Sequence, residues 1–279
     1  WTGFDYLGES GIGGDDESRK WPCRSSMCGL VDLSGFKKTR CYFRQSLWSD
    51  NPMIYIVSQI PLSSGQENQQ KVPFWGWSKV FSHWNWSGRE GKTIRVECYT
   101  NCESIELFLN GKSLGSKELS ASSDLQPSWN VPYEPGTLKA TGKKNGKIAC
   151  SYELHTTGKP TKVVLTPDRD NILSNSRDLS YIEVNVVDKD GNIVPDANNL
   201  ITFDVSGEGK IIGVGSGDQQ SHEDYKSNKR KVYNGECLLV VQSRDKSGQI
   251  RIMATSPGLI SSSITLITIR KKKNKVPLF

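Results

Sequence analysis

Residues 93–111, TIRVECYTNCESIELFLNG, decide the fold of this chain. Apolar and polar side chains alternate over Ile94–Cys98, with Glu97 and Tyr99 on the second face, and alternate again over Ile105–Leu109. A period of two is typical of half-buried strands. Asn110-Gly111 then offers the positive φ that a tight hairpin turn needs. The stretch therefore predicts antiparallel strands that pack one face on a core.

The same pattern recurs on the C-terminal side of this stretch. Asn145-Gly146 predicts a second hairpin, and two hairpins so close together indicate a β-sandwich. Gly158-Lys159-Pro160 is predicted to mark a domain junction, and a second sandwich of about seven strands is predicted after it. The last apolar run, Ile264–Ile269, is too uniform for its buried face to be assigned. The other predicted strands fall at residues 138–140, 148–154, 163–165, 182–186, 201–205, 237–241 and 250–254, with a turn at 190–191.

The first fifty residues have a different character. Phe36, Phe43 and Leu47 recur at helical spacing and predict one amphipathic helix through Trp48. Asp32 or Ser34 would cap its N-terminus, and Asn51-Pro52 would end it. Its solvent-facing side would carry the basic residues Lys37, Lys38, Arg40 and Arg44. Before the helix, the glycine-rich residues 11–18 lack the strand and the lysine-bearing helix of a phosphate-binding loop, so an ordinary loop is predicted.

Charge and hydropathy exclude two classes of function. The chain has 36 basic and 30 acidic residues; 5 of the basic residues lie in the tail from Arg270 to Lys275, and 36 minus 5 leaves 31 against 30. The net charge of +6 is thus a property of the tail, and nucleic-acid binding is not predicted. No apolar run approaches the roughly 20 residues of a membrane span.

Cysteine and histidine usage does not predict a metal site or a cofactor. The seven cysteines include no CxxC pair, and three histidines are present, so zinc is not expected. Cys98 and Cys150 fall on the apolar phase of strands, where a free thiol acts as a small buried hydrophobe. The spacing leaves open a disulfide from Cys23 to Cys28 or from Cys98 to Cys102.

Successive blocks of the sequence resemble glycoside hydrolase family 2. Residues 1–9, WTGFDYLGE, resemble the end of the eighth strand of that family's catalytic (β/α)8 barrel and the loop after it. Residues 28–38 and 43–48 resemble the last barrel helix and its approach, and residues 83–138 resemble the sandwich that follows. Residues 213–235 resemble the family's terminal module. The order of these blocks is the order expected in the family.

The resemblance implies a parent enzyme that hydrolyses terminal β-galactosides or related β-glycosides with retention. It implies that Trp1 lines the sugar-binding subsite, where an apolar ring face suits a pyranose. It also implies that the acid/base and nucleophile glutamates lie upstream, so no catalytic residue is assigned here. Asp5 and Glu9 are therefore expected to hold the loop rather than to form a catalytic pair, and the chain alone is expected to be inactive.

Two other motifs have a structural and a functional interpretation. The aromatic segments 74–77 and 83–86 could stack on sugars, but the resemblance favours packing between domains. In the terminal module, Gly213–Asp218 is expected to form a folded-back loop rather than a strand. Asp218, His222 and Glu223 near that loop are candidate contacts to a sugar or a cation, although local hydrogen bonds are the commoner role of such groups.

The prediction is a mainly β chain with two consecutive immunoglobulin-like sandwiches after a remnant of a (β/α)8 barrel. Its parts would be 1–52, the barrel remnant; 53–158, a linker strand and the first sandwich; 159–271, the second sandwich; and 272–279, the basic tail. Its partners would be a carbohydrate substrate and the missing barrel and N-terminal domains. The chain begins at Trp1 without a leader, so a processed product or a piece without its natural start is expected; the resemblance implies a periplasmic or secreted protein.

The alternative is a modular surface protein whose immunoglobulin-like domains bind glycans or act as spacers, because sandwiches serve many functions. It accounts for the two sandwiches, but not for the barrel-like segment and helix in front of them.

Overall fold

The computed structural model describes residues 2–8, 21–59, 80–119 and 126–270. Over these ranges the chain forms two β-sandwiches and an N-terminal segment that packs against both of them. The described part of the chain contains one helix, and the rest of its regular structure is strand. The mainly β architecture predicted from the alternating pattern is confirmed. The domain limits at 52/53 and 158/159 stay predictions.

The N-terminal segment comprises two short parallel strands and the helix. They are β1 (Thr2–Phe4), β2 (Gly29–Val31) and α1 (Thr39–Trp48). The helix ends at Trp48, as predicted from the Asn-Pro pair that follows it.

The predicted start of the helix is wrong. It begins at Thr39, with Lys38 at the N-cap position and no side-chain capping bond. Asp32 instead accepts hydrogen bonds from the backbone amides of Ser34 and Phe36, at 2.8 and 3.0 Å. A short aspartate side chain that bonds nearby amides stabilises a turn as readily as it caps a helix. Here it shapes the turn that leads to the helix, and Phe36 lies before α1.

The first sandwich pairs two four-stranded sheets, in the orders β4-β3-β5-β8 and β10-β9-β6-β7. Both hairpin turns are confirmed: Asn110 and Gly111 have φ of 50° and 80°, and Asn145 and Gly146 have φ of 51° and 71°. Its strands are β3 (Ile54–Gln59), β4 (Val80–Phe81), β5 (Thr93–Thr100), β6 (Ser104–Leu109), β7 (Lys112–Glu118), β8 (Ser128–Pro132), β9 (Thr137–Lys144) and β10 (Lys147–His155).

Strand β5 departs from simple alternation. Ile94, Val96 and Cys98 are buried as predicted, but Glu97 and Tyr99 on the second face are buried too. Tyr99 meets Phe43 of α1 edge-on, with ring centroids 5.4 Å apart. Gln59 donates a 2.6 Å hydrogen bond to the Glu97 carboxylate. The helix therefore packs on the second face of the strand, and Gln59 of the adjacent strand β3 provides a partner for Glu97 there. A period-two pattern does not reveal either contact.

The terminal sandwich has sheets in the orders β11-β13-β17-β15 and β12-β19-β18-β14-β16. Its nine described strands exceed the predicted seven, and two of them, β12 and β16, are only three residues long. In β19, Leu266 and Thr268 face the core while Ile267 is exposed. This identifies the buried face of the strand, which the uniform apolar run did not reveal. The strands are β11 (Lys162–Pro167), β12 (Asn171–Leu173), β13 (Leu179–Val187), β14 (Leu200–Gly207), β15 (Gly209–Gly215), β16 (Lys229–Lys231), β17 (Glu236–Ser243), β18 (Gly248–Thr255) and β19 (Ser262–Ile269).

All seven cysteines lie in the described ranges and are free thiols. The predicted role of Cys98 as a buried hydrophobe is confirmed, whereas Cys150 is only partly buried. Neither disulfide that the spacing left open is formed; Cys102 contacts Cys150 instead, with their Sγ atoms 3.4 Å apart.

Within the described ranges, no helix has the length and apolar character of a membrane span. The same ranges hold no group of three or more His, Cys, Asp or Glu side chains placed to share a metal ion.

Candidate functional site

The candidate site lies where the segment after β1 meets the loop between β15 and β16, residues 216–228. Asp5 is at its centre and is almost fully buried, with an exposed fraction of 3%. Its carboxylate accepts two hydrogen bonds from Lys38 Nζ, at 2.9 and 2.8 Å, and one from the amide of Gly29 at 2.8 Å. Burial lowers the pKa of Lys38, and the adjacent Asp5 carboxylate opposes that shift. Asp5 is thus engaged in joining β1, β2 and the residue before α1.

The β15–β16 loop adds bonds to the same group from the far end of the chain. Gln219 donates its amide to Asp5 at 3.2 Å and to the Ser26 carbonyl at 2.9 Å. The Arg24 amide in turn donates to the Gln219 carbonyl at 3.0 Å. His222 donates Nε2–H to the Pro22 carbonyl at 2.8 Å, and its ring packs on Trp21 with centroids 4.6 Å apart. The loop therefore lies directly on the N-terminal segment.

Glycines at the end of β15 and at the start of the loop allow this close contact. A Cβ on Gly217 would lie 2.0 Å from Oδ2 of Asp32, and one on Gly215 would lie 2.7 Å from Oγ of Ser34. The prediction that Gly213–Asp218 forms a folded-back loop and not a strand is wrong for its first three residues, because β15 extends to Gly215. Neither Gly215 nor Gly217 has a positive φ. Their lack of a side chain serves close approach of another segment rather than a turn.

Two arginines enclose one tyrosine of the loop. The guanidinium carbons of Arg24 and Arg230 lie 5.3 and 5.2 Å from the ring centroid of Tyr225. Arg230 is fully buried and donates to Ser216 Oγ at 3.1 Å. Nε and Nη2 of Arg24 and Nη2 of Arg230 find no hydrogen-bond partner among the described residues. Both cations thus contact the Tyr225 ring by cation–π interaction, and Arg230 also donates to the Glu223 carbonyl at 3.3 Å.

Glu236, at the start of β17, lies near the carboxyls of Asp32 and Glu183. Burial, with a smaller contribution from the neighbouring carboxylates of Asp32 and Glu183, raises the pKa of Glu236 to about 7. Burial also raises the pKa of Asp32. Beside this group, Phe36, Tyr181 and Glu183 help to line a cleft of about 400 Å³ between the N-terminal segment and the terminal sandwich. The raised pKa values follow from this packing.

Two family models match the sandwiches. Residues 163–265 match the model described as glycoside hydrolase family 2 C-terminal domain 5, and residues 91–150 match a domain of unknown function, DUF4982. The β-galactosidase BoGH2A of Bacteroides ovatus is 40% identical over 260 residues, which are 93% of this chain and 27% of that protein. The chain belongs to glycoside hydrolase family 2.

Other family 2 proteins are similar over most of this chain. A putative β-glucuronidase of Formosa agariphila is 32% identical over 220 residues, which are 78% of this chain and 18% of that protein. A solved family 2 structure from Bacteroides cellulosilyticus superposes with a TM-score of 0.86 and 38% identity, covering 97% of this chain and 36% of that one. The chain thus spans about a quarter of the length of BoGH2A, and it is a C-terminal region of a glycoside hydrolase.

The candidate loop residues of this family 2 chain are engaged in contacts within the protein. Asp218 accepts a hydrogen bond from the Gln220 amide at 2.9 Å. Glu223 accepts one from the Ser221 hydroxyl at 3.1 Å and lies 3.8 Å from Arg230. His222 makes the contacts to Pro22 and Trp21 given above. Trp1 and Glu9 lie outside the described residues.

The aromatic stretch 83–86 is a packing element. Trp84 is fully buried in the first sandwich and donates Nε1–H to the Glu134 carbonyl at 2.9 Å. Trp86 is half-buried and donates to Ser58 at 3.2 Å. Trp86 also lines a cleft that reaches Pro195 and Asp196 of the terminal sandwich. The expected packing between domains is therefore met at Trp86, which borders the terminal sandwich, whereas Trp84 packs within the first sandwich. Residues 74–77 lie outside the described ranges.

Sequence reasoning missed Arg24, Gln219 and Arg230. The glycines at 213, 215 and 217 were the available signal, because repeated glycines mark a surface that another backbone approaches closely.

Proposed function

We propose that this chain is the C-terminal accessory region of a retaining glycoside hydrolase that acts on terminal β-galactosides or related β-glycosides. The observation that carries the proposal is the 40% identity to a β-galactosidase over 93% of the chain. A retaining mechanism needs two carboxyl groups about 5 Å apart on either side of the glycosidic bond. By the resemblance, both lie upstream of Trp1, and the chain itself does not turn over substrate.

The geometry of Asp5 supports this inactivity. Its carboxylate accepts hydrogen bonds from Lys38, Gly29 and Gln219, and the side chain has almost no exposure to solvent. A nucleophile or a general acid must reach the substrate atom that it attacks or protonates. Asp5 instead orients the loop that follows β1, which is the role expected of it from sequence.

The accessory role that we propose is to support the wall of the sugar subsite. Trp1, the proposed sugar-binding residue, directly precedes β1, and β1 pairs with β2 in parallel register. The β15–β16 loop braces the segment after β1 through Gln219 and His222. Binding groups need a supporting shell that restricts their movement. The terminal sandwich supplies that shell. Asp218, His222 and Glu223 of its loop remain proposed contacts to a sugar or a cation.

The rest of the parent polypeptide is the proposed partner of the N-terminal segment. Two-stranded sheets are marginal alone, and parallel strands occur almost only where both faces are covered. The β1–β2 pair is such a sheet, and large apolar side chains around it and on α1 are exposed. They are Phe4, Leu7, Trp21, Leu47 and Trp48. We propose that the catalytic barrel covers them.

The test compares this chain with a longer polypeptide that includes the upstream region. Hydrolysis of a chromogenic β-galactoside is expected from the longer protein and not from the chain alone. Robust turnover by the chain that is lost on Asp5→Asn would overturn the proposal. An exposed-site change, Asp190→Asn, is the matched control, because Asp190 lies on the surface far from Asp5 in sequence.

The substrate class is tested on the longer protein, since relatives are named both as β-galactosidases and as β-glucuronidases. We expect a higher kcat/KM for p-nitrophenyl β-galactoside than for the β-glucuronide. A higher kcat/KM for the β-glucuronide would show that the parent enzyme prefers β-glucuronides, against the proposal. A Trp1→Ala change should lower kcat/KM in either case, because an aromatic face contributes to pyranose binding.

We also propose a periplasmic or secreted location for the parent protein, on the family resemblance alone. Fractionation of cells that produce it, followed by detection with an antibody to this chain, provides the test. Recovery in the cytoplasmic fraction would contradict it.

A further inference from the structure

We propose that Cys102 and Cys150 are a disulfide-forming pair in the first sandwich. Their Sγ atoms lie 3.4 Å apart although 48 positions separate the residues in sequence. A disulfide bond needs the sulfurs at about 2.05 Å, so the two sulfurs must move closer before the bond forms. The inference does not depend on the glycosidase function.

The local backbone places the two residues as neighbours. Cys150 on β10 is the cross-strand partner of Gly142 on β9. Cys102 lies over that glycine, because a Cβ on Gly142 would come within 2.6 Å of Cys102 Sγ. Because Cys150 opposes Gly142 and Cys102 packs on Gly142, the two cysteines lie on either side of a residue without a side chain. Gly142 thus leaves the space in which the two sulfurs meet.

The bond would fasten an edge of the sheet. β10 is the outer strand of its sheet, and it pairs on one side only, with β9. Cys102 lies in the connection from β5 to β6, which crosses from one sheet of the sandwich to the other. A covalent link from this connection to β10 closes a long loop and restricts the unfolded chain.

The reaction needs a disulfide oxidant such as oxidised glutathione. Cys150 is the more accessible thiol, so its thiolate attacks the oxidant first and forms a mixed disulfide, releasing one reduced thiol. Cys102 then attacks the Cys150 sulfur and releases the second reduced thiol. The two protons of the cysteines end on these two thiols, and the oxidant takes up two electrons. Burial and the Cys102 thiol raise the pKa of Cys150, so the reaction should be faster at pH 8.5 than at pH 7.

The experiment incubates the folded chain with oxidised glutathione, unfolds it and counts thiols. Of the seven thiols, two become joined and five should remain. Trypsin releases Cys98 and Cys102 on the single peptide 96–112, so the variant Cys98→Ala makes the assignment unambiguous. In that variant, mass spectrometry should find the peptide that contains Cys102 joined to the one that contains Cys150, with the loss of two hydrogens.

Cys150→Ser is the matched negative variant, since its site is partly exposed and should tolerate a hydroxyl. It should keep six thiols after the same treatment. Oxidation should raise the midpoint of thermal unfolding of the parent chain by roughly 5–10 °C and leave that of Cys150→Ser unchanged. Seven free thiols after oxidation, or a link between other cysteines, would overturn the proposal.

Discussion

The side-chain amide of Gln219 donates a hydrogen bond to the carboxylate of Asp5 across 214 positions of sequence, over 3.2 Å. The same carboxylate binds Lys38, which directly precedes α1. One buried acidic group therefore joins β1, the approach to the helix and the loop of the terminal sandwich. The N-terminal segment and the terminal sandwich should accordingly lose stability together when this group is changed.

Asp5→Asn should destabilise the chain by roughly 2–4 kcal/mol. The change removes one partner of a buried ion pair and leaves the Lys38 ammonium without its carboxylate, which is costly in a low-dielectric site. Urea unfolding followed by circular dichroism provides the measurement. Asp190→Asn breaks the exposed pair with Lys189 and should cost less than about 0.5 kcal/mol. Equal effects of the two changes would contradict the central role of Asp5.

Gly217→Ala should weaken the contact between the β15–β16 loop and the N-terminal segment. The added Cβ would lie 2.0 Å from Asp32 Oδ2, so one of the two segments must move, at a cost of about 1–3 kcal/mol. Gly213→Ala is the matched control, because the nearest atom to its Cβ, the Tyr225 carbonyl oxygen, is 3.8 Å away. Hydrogen exchange of residues 21–31 should rise in the first variant only. An unchanged pattern in both would show that the close approach is unimportant.

Glu236 should make the chain less stable as the pH rises from about 4.5 to about 7. Its pKa is raised from 4.5 to about 7 in the folded state, so the folded chain binds the proton more tightly than the unfolded chain does. Stability is full below pH 4.5 and is lost as the pH passes through 7, by roughly 3 kcal/mol. Glu236→Gln should remove this loss and be the more stable protein at pH 8.

Free energies of unfolding at pH 5 and pH 8 check the Glu236 prediction, with the exposed Glu118→Gln as control. A Glu236→Gln variant that is no more stable than the parent chain at pH 8 would refute it.

The pKa shift of His83 should make the chain less stable as the pH falls, whereas that of Glu236 makes it less stable as the pH rises. Burial lowers the pKa of His83 from 6.5 to about 4, and Asp196 opposes the shift. Its Nδ1 accepts a 3.2 Å hydrogen bond from the Asn85 amide, which only the neutral ring allows. Stability is full above pH 6.5 and falls, by roughly 3 kcal/mol, as the pH drops through 4. His83→Asn, which keeps an acceptor, should flatten the acid limb of a stability–pH curve, whereas His155→Asn at an exposed site should not.

Particular elements show how far sequence reasoning reached. The two Asn-Gly turns and the inward phase of β5, β6 and β13 were predicted correctly, because turn geometry and alternation are local properties. The start of α1 was predicted too early, because Asp32 supports a turn and a helix cap equally well. Arg24 and Gln219 were missed because their partners lie about two hundred positions away, and the glycines at 215 and 217 mark a close approach without showing which segment approaches.

By itself, the sequence determined the two sandwiches, their hairpin turns and the end of the helix, because each depends on residues that are near neighbours in the chain. It also carried the resemblance to family 2. Only the tertiary structure decided that Glu97 and Tyr99 are buried. It also decided that Asp5 accepts a hydrogen bond from Gln219 and that the sulfurs of Cys102 and Cys150 are in contact. A periodic pattern states which face a side chain occupies, but it does not state which distant segment covers that face.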